Sequence, residues 1–172
     1  MAAVSIPTAT LARTCPIWRD AAIDFIAAEQ PDLVVVSSWA DYPNGDEEWG
    51  DGLAATMARL APLTGDLAVL GDNPPARREP AACLSANVRA ADTCVAGRDE
   101  VVPADRLATE REVAATVGAD FVDTTDWLCT DDACPVMIGN ILLYRDVTHI
   151  TTVAAKWLRP LLEASLGPLR PA

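Results

Sequence analysis

A continuous apolar run of strand length constrains the fold of this chain most. Leu33-Val34-Val35-Val36-Ser37-Ser38 is too short for a core helix, and it is rich in β-branched residues. A second run of this kind, Leu67-Ala68-Val69-Leu70-Gly71, follows after a helical stretch. Runs without polar alternation are typical of strands that are buried on both faces, as in a parallel sheet. The two runs therefore predict an α/β fold.

The segments around these runs have helical periodicity, and a third apolar run follows them. The predicted elements are a helix from Cys15 to about Gln30, a strand over Leu33–Ser38, a helix over Glu47–Leu63, a strand over Leu67–Gly71, a helix over Asp105–Val117, a strand over Ala119–Asp123 and a helix from Thr151 to Leu166. Such alternation predicts a mostly parallel sheet. Ligands bind such sheets beyond the carboxyl ends of the strands, so we expect the segments after Ser38, Gly71 and Asp123 to share one edge with the approach to His149.

A length of 172 residues suits one domain. We expect an irregular segment over residues 1–14, one domain over residues 15–166 and a tail over residues 167–172. The stretch from about Pro74 to Pro103 is predicted to be a long loop, which requires a function or a covalent link. Within the helices, apolar spacing predicts a set of residues in the core: Trp18, Trp49, Val153, Trp157, Leu158, Leu161 and Leu162.

Charge and hydropathy exclude several classes of protein. The net charge of -12 argues against nucleic acid or an anionic membrane as the main partner. No apolar run reaches the roughly 20 residues of a membrane span, and Met1–Thr14 has no signal-peptide pattern. From composition alone we expect a soluble, ordered chain, because half of its residues are apolar.

The spacing of the cysteines indicates whether the chain resides in an oxidising or a reducing compartment. Cys83 and Cys94 bracket a polar loop, and Cys129 and Cys134 bracket a short acidic turn, so each spacing suits a local disulfide and an oxidising environment. The alternatives are reduced thiols, or zinc bound by Cys129, Cys134 and His149. Zinc is the weakest of the three, since no second Cys/His pair completes its ligand set. Cys15 is left without a partner in either pairing.

His149 is the only histidine in the chain, and Asp146 precedes it by three residues. A carboxylate at this spacing can hold one ring nitrogen while the other faces a pocket, which is the base half of a Ser-His-Asp mechanism. The serine half is not evident: Ser37 and Ser38 lie near the predicted crevice, but no Gly-x-Ser-x-Gly turn occurs. The alternative is that Asp146, with Thr148, only caps the last helix. No metal or cofactor site is predicted.

Two more side chains have candidate roles at this edge. Trp39 follows a strand and is a candidate for stacking on a sugar ring, the alternative being plain packing. Arg145 is a candidate for orienting an acidic substrate, the alternatives being a solvated surface residue or an ion-pair partner for a nearby aspartate.

Several motifs together resemble a known family. They are Cys15-Pro16-Ile17-Trp18-Arg19, the strand from Pro31 to Ser38 with Trp39, Leu70-Gly71-Asp72-Asn73-Pro74, Cys83-Leu84-Ser85, Cys129 through Cys134-Pro135, and Ile138-Gly139-Asn140 through Tyr144-Arg145-Asp146 to His149. From Cys15 to about Leu166 the chain resembles the SGNH-hydrolase-like domain at the carboxyl end of bacterial membrane acyltransferases of the acyltransferase-3 type. In that family an Asp-x-x-His pair supplies the catalytic acid and base, which here match Asp146 and His149.

The resemblance implies a three-layer α/β/α, flavodoxin-like fold and an extracytoplasmic location. It also implies acyl-ester chemistry by a Ser-His-Asp mechanism, in which an acyl donor and a glycan acceptor are the partners. The usual reaction would be O-acetylation of a cell-envelope or secreted glycan, with a membrane acyltransferase domain in the complete protein. No cofactor is expected, and the net charge of -12 argues against nucleic acid as a partner.

The chain also departs from the family. The family's Gly-Asp-Ser-His nucleophile motif does not occur, and Ser37-Ser38-Trp39 stands where a Gly-x-Asn oxyanion block is usual. We therefore expect the first strand and helix of the family to be missing, the serine to lie outside this chain, and the chain alone to be nearly inactive. The alternatives are a catalytically silent glycan-binding or accessory domain, or a truncated gene product.

Overall fold

The computed structural model describes residues 9–41 and 43–167. Its elements in chain order are α1 (Ala9–Glu29), β1 (Leu33–Ser37), α2 (Asp46–Leu60), β2 (Asp66–Leu70), α3 (Pro80–Ala86), β3 (Ala96–Gly97), α4 (Arg98–Val101), α5 (Ala104–Thr116), β4 (Asp120–Val122), α6 (Thr125–Leu128), β5 (Ala133–Cys134), β6 (Met137–Ile138), β7 (Ile141–Leu142) and α7 (Thr152–Leu166). Within the described residues, no helix combines the length and the apolar character that crossing a membrane requires.

The chain forms two compact units. Of the described residues, the first unit contains those up to Gly71 and Ala104–Val122, and the second contains Asp72–Pro103 and Asp123–Gly167. The first unit holds a sheet in the order β1-β2-β4, in which both pairs of neighbours are parallel. The predicted α/β organisation on a parallel sheet is therefore confirmed.

Burial differs between the strands of this sheet. The central strand β2 buries Leu67, Ala68 and Val69, as predicted for a strand covered on both faces. At the edge of the described sheet, β1 buries Val34 and Val36, whereas Val35 between them is 40% exposed. The prediction of two buried faces is thus wrong for β1, because only one of its faces is covered by the described chain.

The core of the first unit is built around α2. Trp49, Leu53, Met57 and Leu60 form one buried stripe on this helix. Trp49 also donates a hydrogen bond from Nε1 to Glu110 Oε1 at 3.0 Å. The predicted core position of Trp49 is confirmed, and it is supported by a polar partner as well as by packing.

Helix α1 departs from its prediction in two ways. It begins at Ala9, so residues 9–14 are helical rather than irregular, whereas residues 1–8 lie outside the described part. This stretch is rich in good helix formers, and Pro16 removes only one hydrogen bond from the helix. Trp18 is exposed, not buried, because α1 packs through Ile23 and Ile26. The helix is apolar on two faces, so its periodicity does not determine the buried one.

The second unit contains the stretch that was predicted to be a long loop. It holds α3, a 3₁₀ turn over Ala91–Cys94, β3 and α4, so the prediction of a structureless loop is wrong. The predicted covalent link is present as a disulfide between Cys83 and Cys94. A second disulfide joins Cys129 to Cys134. The thiol and zinc alternatives are therefore wrong, since these sulfur atoms are not thiolates, and Cys15 forms no disulfide in the described part of the chain.

Helix α7 starts where predicted, with Thr151 as its N-cap. The Thr151 hydroxyl accepts a hydrogen bond from Ala154 N at 3.0 Å. The buried residues of this helix are Ala154 and Leu158, whereas Val153, Trp157 and Leu161 are exposed. The core prediction is wrong for these three, because they form a stripe next to the one that packs and both stripes are apolar.

Candidate active site

Asp146 and His149 lie together, as predicted. Asp146 Oδ1 is 2.8 Å from His149 Nδ1, and Oδ2 is 3.1 Å from the same nitrogen. A carboxylate can only accept, so Nδ1 carries a proton, and in the neutral imidazole Nε2 has a free lone pair. The His149 side chain is 66% exposed, and Nε2 has no hydrogen bond to any described residue. The imidazole is thus oriented as a base.

The same carboxylate organises the backbone of the turn. Asp146 Oδ1 accepts hydrogen bonds from the backbone nitrogens of Thr148, at 3.1 Å, and of His149, at 2.9 Å. Such bonds from an aspartate to the residues two and three positions later are typical of tight turns. The alternative in which Asp146 and Thr148 cap α7 is wrong, because Thr151 performs that role.

These contacts determine the charge of Asp146. The backbone hydrogen bond from His149, the side-chain bond from the same residue and the backbone bond from Thr148 hold the pKa of the Asp146 carboxyl well below its usual range. Arg145 adds a weak contact, with Nη2 3.3 Å from Asp146 Oδ2 and its side chain largely in solvent. Asp146 is therefore an anion throughout the range in which histidine acts as a base.

The ends of the turn are fixed in the core of the second unit. Tyr144 pairs with Ile150 in an antiparallel bridge, and Arg145 N donates to His149 O at 2.8 Å. Leu143, which is fully buried, accepts from Thr151 N at 2.8 Å. Burial, together with the nearby Asp72 carboxylate, raises the pKa of the Tyr144 phenol above its usual range. The exposed turn is therefore anchored at both of its ends by buried residues.

The segment after Gly71 reaches this turn, as predicted. Asn73 Nδ2 donates to Thr148 O at 3.1 Å, and Ala76 N donates to Val147 O at 2.7 Å. The Tyr144 hydroxyl donates to Pro74 O at 2.7 Å in a buried bond. Sequence reasoning missed these supporting residues individually. The position of Asp72-Asn73 after a predicted strand indicated that this segment lies near the site, and Asn73, Pro74 and Tyr144 belong to motifs of the family resemblance, but no role was predicted for them.

The other predicted candidates belong to the first unit. Ser37 ends β1 and is exposed, and Ser38 follows it, with a buried hydroxyl that has no hydrogen-bond partner in the described part of the chain. Trp39 is exposed. Among the described residues, no serine hydroxyl forms a hydrogen bond with His149. The described residues therefore leave His149 Nε2 without a hydrogen bond from a serine hydroxyl.

Comparison with known proteins gives one family and two solved structures. The model of the family described as the SGNH domain fused to AT3 domains matches residues 3–164. The periplasmic domain of the Salmonella ser. Paratyphi A lipopolysaccharide acetyltransferase is similar, with a TM-score of 0.67 and 14% identity over 84% of this chain. A catalytic mutant of an acetylxylan esterase from Geobacillus stearothermophilus has a TM-score of 0.49 and 16% identity, over 84% of this chain and 64% of the esterase. No curated protein matches this chain in sequence.

The chain spans 62% of the length of the solved acetyltransferase domain. The likeness to that domain confirms the predicted fold class, a three-layer α/β/α fold with a parallel sheet. The family model covers nearly the whole chain and confirms the resemblance seen in the sequence. This chain therefore belongs to the family of SGNH domains that are fused to AT3 domains.

Proposed function

We propose that this chain is the acyl-ester domain of a larger acyltransferase that O-acylates a glycan outside the cytoplasm, most commonly by O-acetylation. The observation that carries the proposal is the 2.8 Å contact between His149 Nδ1 and Asp146 Oδ1, in a turn that the same carboxylate shapes. Membership in a family whose domains are fused to AT3 domains supports it. The AT3 membrane domain is the proposed partner and the source of the acyl donor.

The proposed mechanism has two acyl transfers. In the first, His149 Nε2 takes the proton of a serine hydroxyl, the serine oxygen attacks the carbonyl carbon of the acyl donor, and the proton passes to the leaving group. In the second, a glycan hydroxyl attacks the acyl-serine, and His149 transfers the hydroxyl proton to the departing serine oxygen. Water in place of the glycan gives hydrolysis. Asp146 remains ionised and stabilises the imidazolium that forms in each step.

The serine in this mechanism is proposed to come from outside the chain. Backbone N–H groups near it would stabilise the oxyanion, typically by about 3 kcal/mol per donor. This assignment is supported by the lack of a nucleophile motif in the sequence and of any described serine bonded to His149. No cofactor takes part in either step.

Two features support an extracytoplasmic location. Both disulfides are of the kind that persists in oxidising compartments. The solved acetyltransferase domain that the fold resembles is periplasmic. The net charge of -12 argues against nucleic acid as the partner.

A second candidate function is a catalytically silent domain that binds glycan for a membrane partner. The exposed Trp39 favours it, since an exposed indole can stack on a sugar ring. Such a domain would not need the Nε2 lone pair of His149. The two functions therefore differ in whether acylation depends on this single imidazole.

The test is glycan acylation by the complete protein in membranes, measured by mass spectrometry of the glycan. We expect His149→Ala to abolish acylation and Lys156→Ala, an exposed control on α7, to leave it unchanged. Acylation that survives His149→Ala would contradict the catalytic proposal and favour glycan binding. In parallel, this chain alone should hardly hydrolyse p-nitrophenyl acetate. Robust hydrolysis that His149→Ala abolishes would show that the nucleophile lies within the chain.

A further inference from the structure

The peptide unit between Thr148 and His149 is held at both ends. Its carbonyl oxygen accepts a hydrogen bond from Asn73 Nδ2 at 3.1 Å, and its N–H donates to Asp146 Oδ1 at 2.9 Å. Hydrogen bonds to its oxygen and from its nitrogen restrict the rotation of this planar unit. Because the unit includes the Cα atom of His149, its orientation contributes to the direction in which the His149 side chain leaves the backbone.

Asn73 is itself anchored at its backbone. Its N–H donates to Asp72 Oδ1 at 2.9 Å, and the Asp72 carbonyl accepts from Thr124 Oγ1 at 3.1 Å. Two further bonds, from Ala76 N and from the Tyr144 hydroxyl to Pro74 O, join the same segment to the turn. Among these links, only the Asn73 amide binds the peptide unit that carries His149.

We propose that Asn73 is a positioning residue for His149, a role that rests on the proposed function. Its amide holds the Thr148 carbonyl, so that the imidazole keeps Nδ1 on Asp146 and presents Nε2 for proton transfer. Asn73 acts through His149 and is not assigned a contact with substrate. The role requires a hydrogen-bond donor, because a carbonyl oxygen can only accept.

The test is the ¹⁵N NMR spectrum of the histidine ring, which is unambiguous because the chain has one histidine. For the wild-type protein we expect a single neutral tautomer with the proton on Nδ1. Asn73→Ala removes the donor, and Asn73→Asp keeps the shape of the side chain but replaces the amide with an acceptor. Both variants should lose the single tautomer and show a mixture of the Nδ1–H and Nε2–H forms.

A matched control is available in the same unit. Asn87 Nδ2 donates to Cys83 O at 2.9 Å, which is the same type of bond at a different place. Asn87→Ala should keep the wild-type tautomer. In the complete protein, Asn73→Ala should lower kcat by about 10- to 100-fold with little change in KM, because a misplaced base affects the chemical step.

Two outcomes would overturn the inference. One is that the Asn73 variants fold, with wild-type circular dichroism, and retain the single Nδ1–H tautomer. The other is that neither variant folds, which would assign Asn73 to the stability of the fold. The tautomer of His149 is measured on the unliganded protein. The measurement therefore tests the role of Asn73 even if the domain is catalytically silent. Glycan acylation by the His149→Ala protein tests the proposed function separately.

Discussion

Asp146 binds His149 twice, through the ring Nδ1 at 2.8 Å from Oδ1 and through the backbone nitrogen at 2.9 Å from the same oxygen. Asp146 therefore both orients the imidazole and shapes the backbone of the turn that carries His149. Substitutions at position 146 should for this reason separate two effects, one on the charge beside the ring and one on the geometry of the turn.

Asp146→Asn keeps an acceptor for the backbone but removes the charge. We expect the turn to persist and kcat of the complete protein to fall by about 10⁴-fold, since a neutral amide can hold either tautomer and does not stabilise the imidazolium. Asp146→Ala should in addition speed hydrogen exchange at the His149 amide, as measured by NMR. Near wild-type acylation in Asp146→Asn would contradict the role of Asp146.

The low pKa of Asp146 predicts a specific dependence of stability on pH. The pKa of this carboxyl is lower in the folded than in the unfolded protein, where it is about 3.9. Its ionised form thus stabilises the folded state above the unfolded pKa, and the contribution is lost as the pH falls toward the folded pKa. The difference in unfolding free energy between wild type and Asp146→Asn, from urea titrations, should be constant above about pH 5 and shrink below about pH 4. A difference in unfolding free energy that grows as the pH falls would contradict the low pKa of Asp146 in the folded protein.

The two disulfides should contribute unequally to stability. They close loops with sequence separations of 11 and 5 residues. From loop entropy we expect the free energy of unfolding to fall by about 3 kcal/mol in the Cys83→Ser/Cys94→Ser protein and by about 2 kcal/mol in the Cys129→Ser/Cys134→Ser protein. Urea unfolding at neutral pH measures both, and Cys15→Ser is the control because Cys15 forms no disulfide in the described part. A larger loss for the shorter loop would contradict the entropic argument.

Trp49 and Trp157 form a matched pair for testing the core. Trp49 is 2% exposed and donates to Glu110, whereas Trp157 is 41% exposed. Trp49→Phe removes the donor from a buried bond and should lower the free energy of unfolding by about 1–3 kcal/mol. Trp157→Phe should change it by less than about 0.5 kcal/mol. Equal effects in thermal or urea unfolding would show that the assigned burial is wrong.

The features predicted most accurately from the sequence are those that depend on residues close together in the chain. The burial of Leu67, Ala68 and Val69 and the core position of Trp49 on α2 are set by neighbours within a few residues, and so is the contact between Asp146 and His149. The buried face of α7 was not predictable in this way. Its apolar residues form two adjacent stripes, through Trp157 and through Leu158, and only packing with the rest of the unit selects one.

The supports of the site depend on long-range contacts. Asn73 and Thr148 are 75 residues apart, and Tyr144 and Pro74 are 70 apart, so no local pattern relates them. The family resemblance identified the Asp-x-x-His pair but said nothing about what holds its peptide plane. The hydrogen-bond partners of the turn can be identified only from the folded structure.

The hydrogen bonds described above that fix the Asp146–His149 turn come from two short segments of the second unit, residues 73–76 and 143–151. In the proposed mechanism, His149 is therefore preorganised before any reacting group arrives. In the proposed mechanism, a serine from elsewhere would meet an imidazole whose rotation is already restricted by its contact with Asp146. Most of the entropic cost of assembling such a site would then fall on the incoming nucleophile and substrate, and little of it on the base.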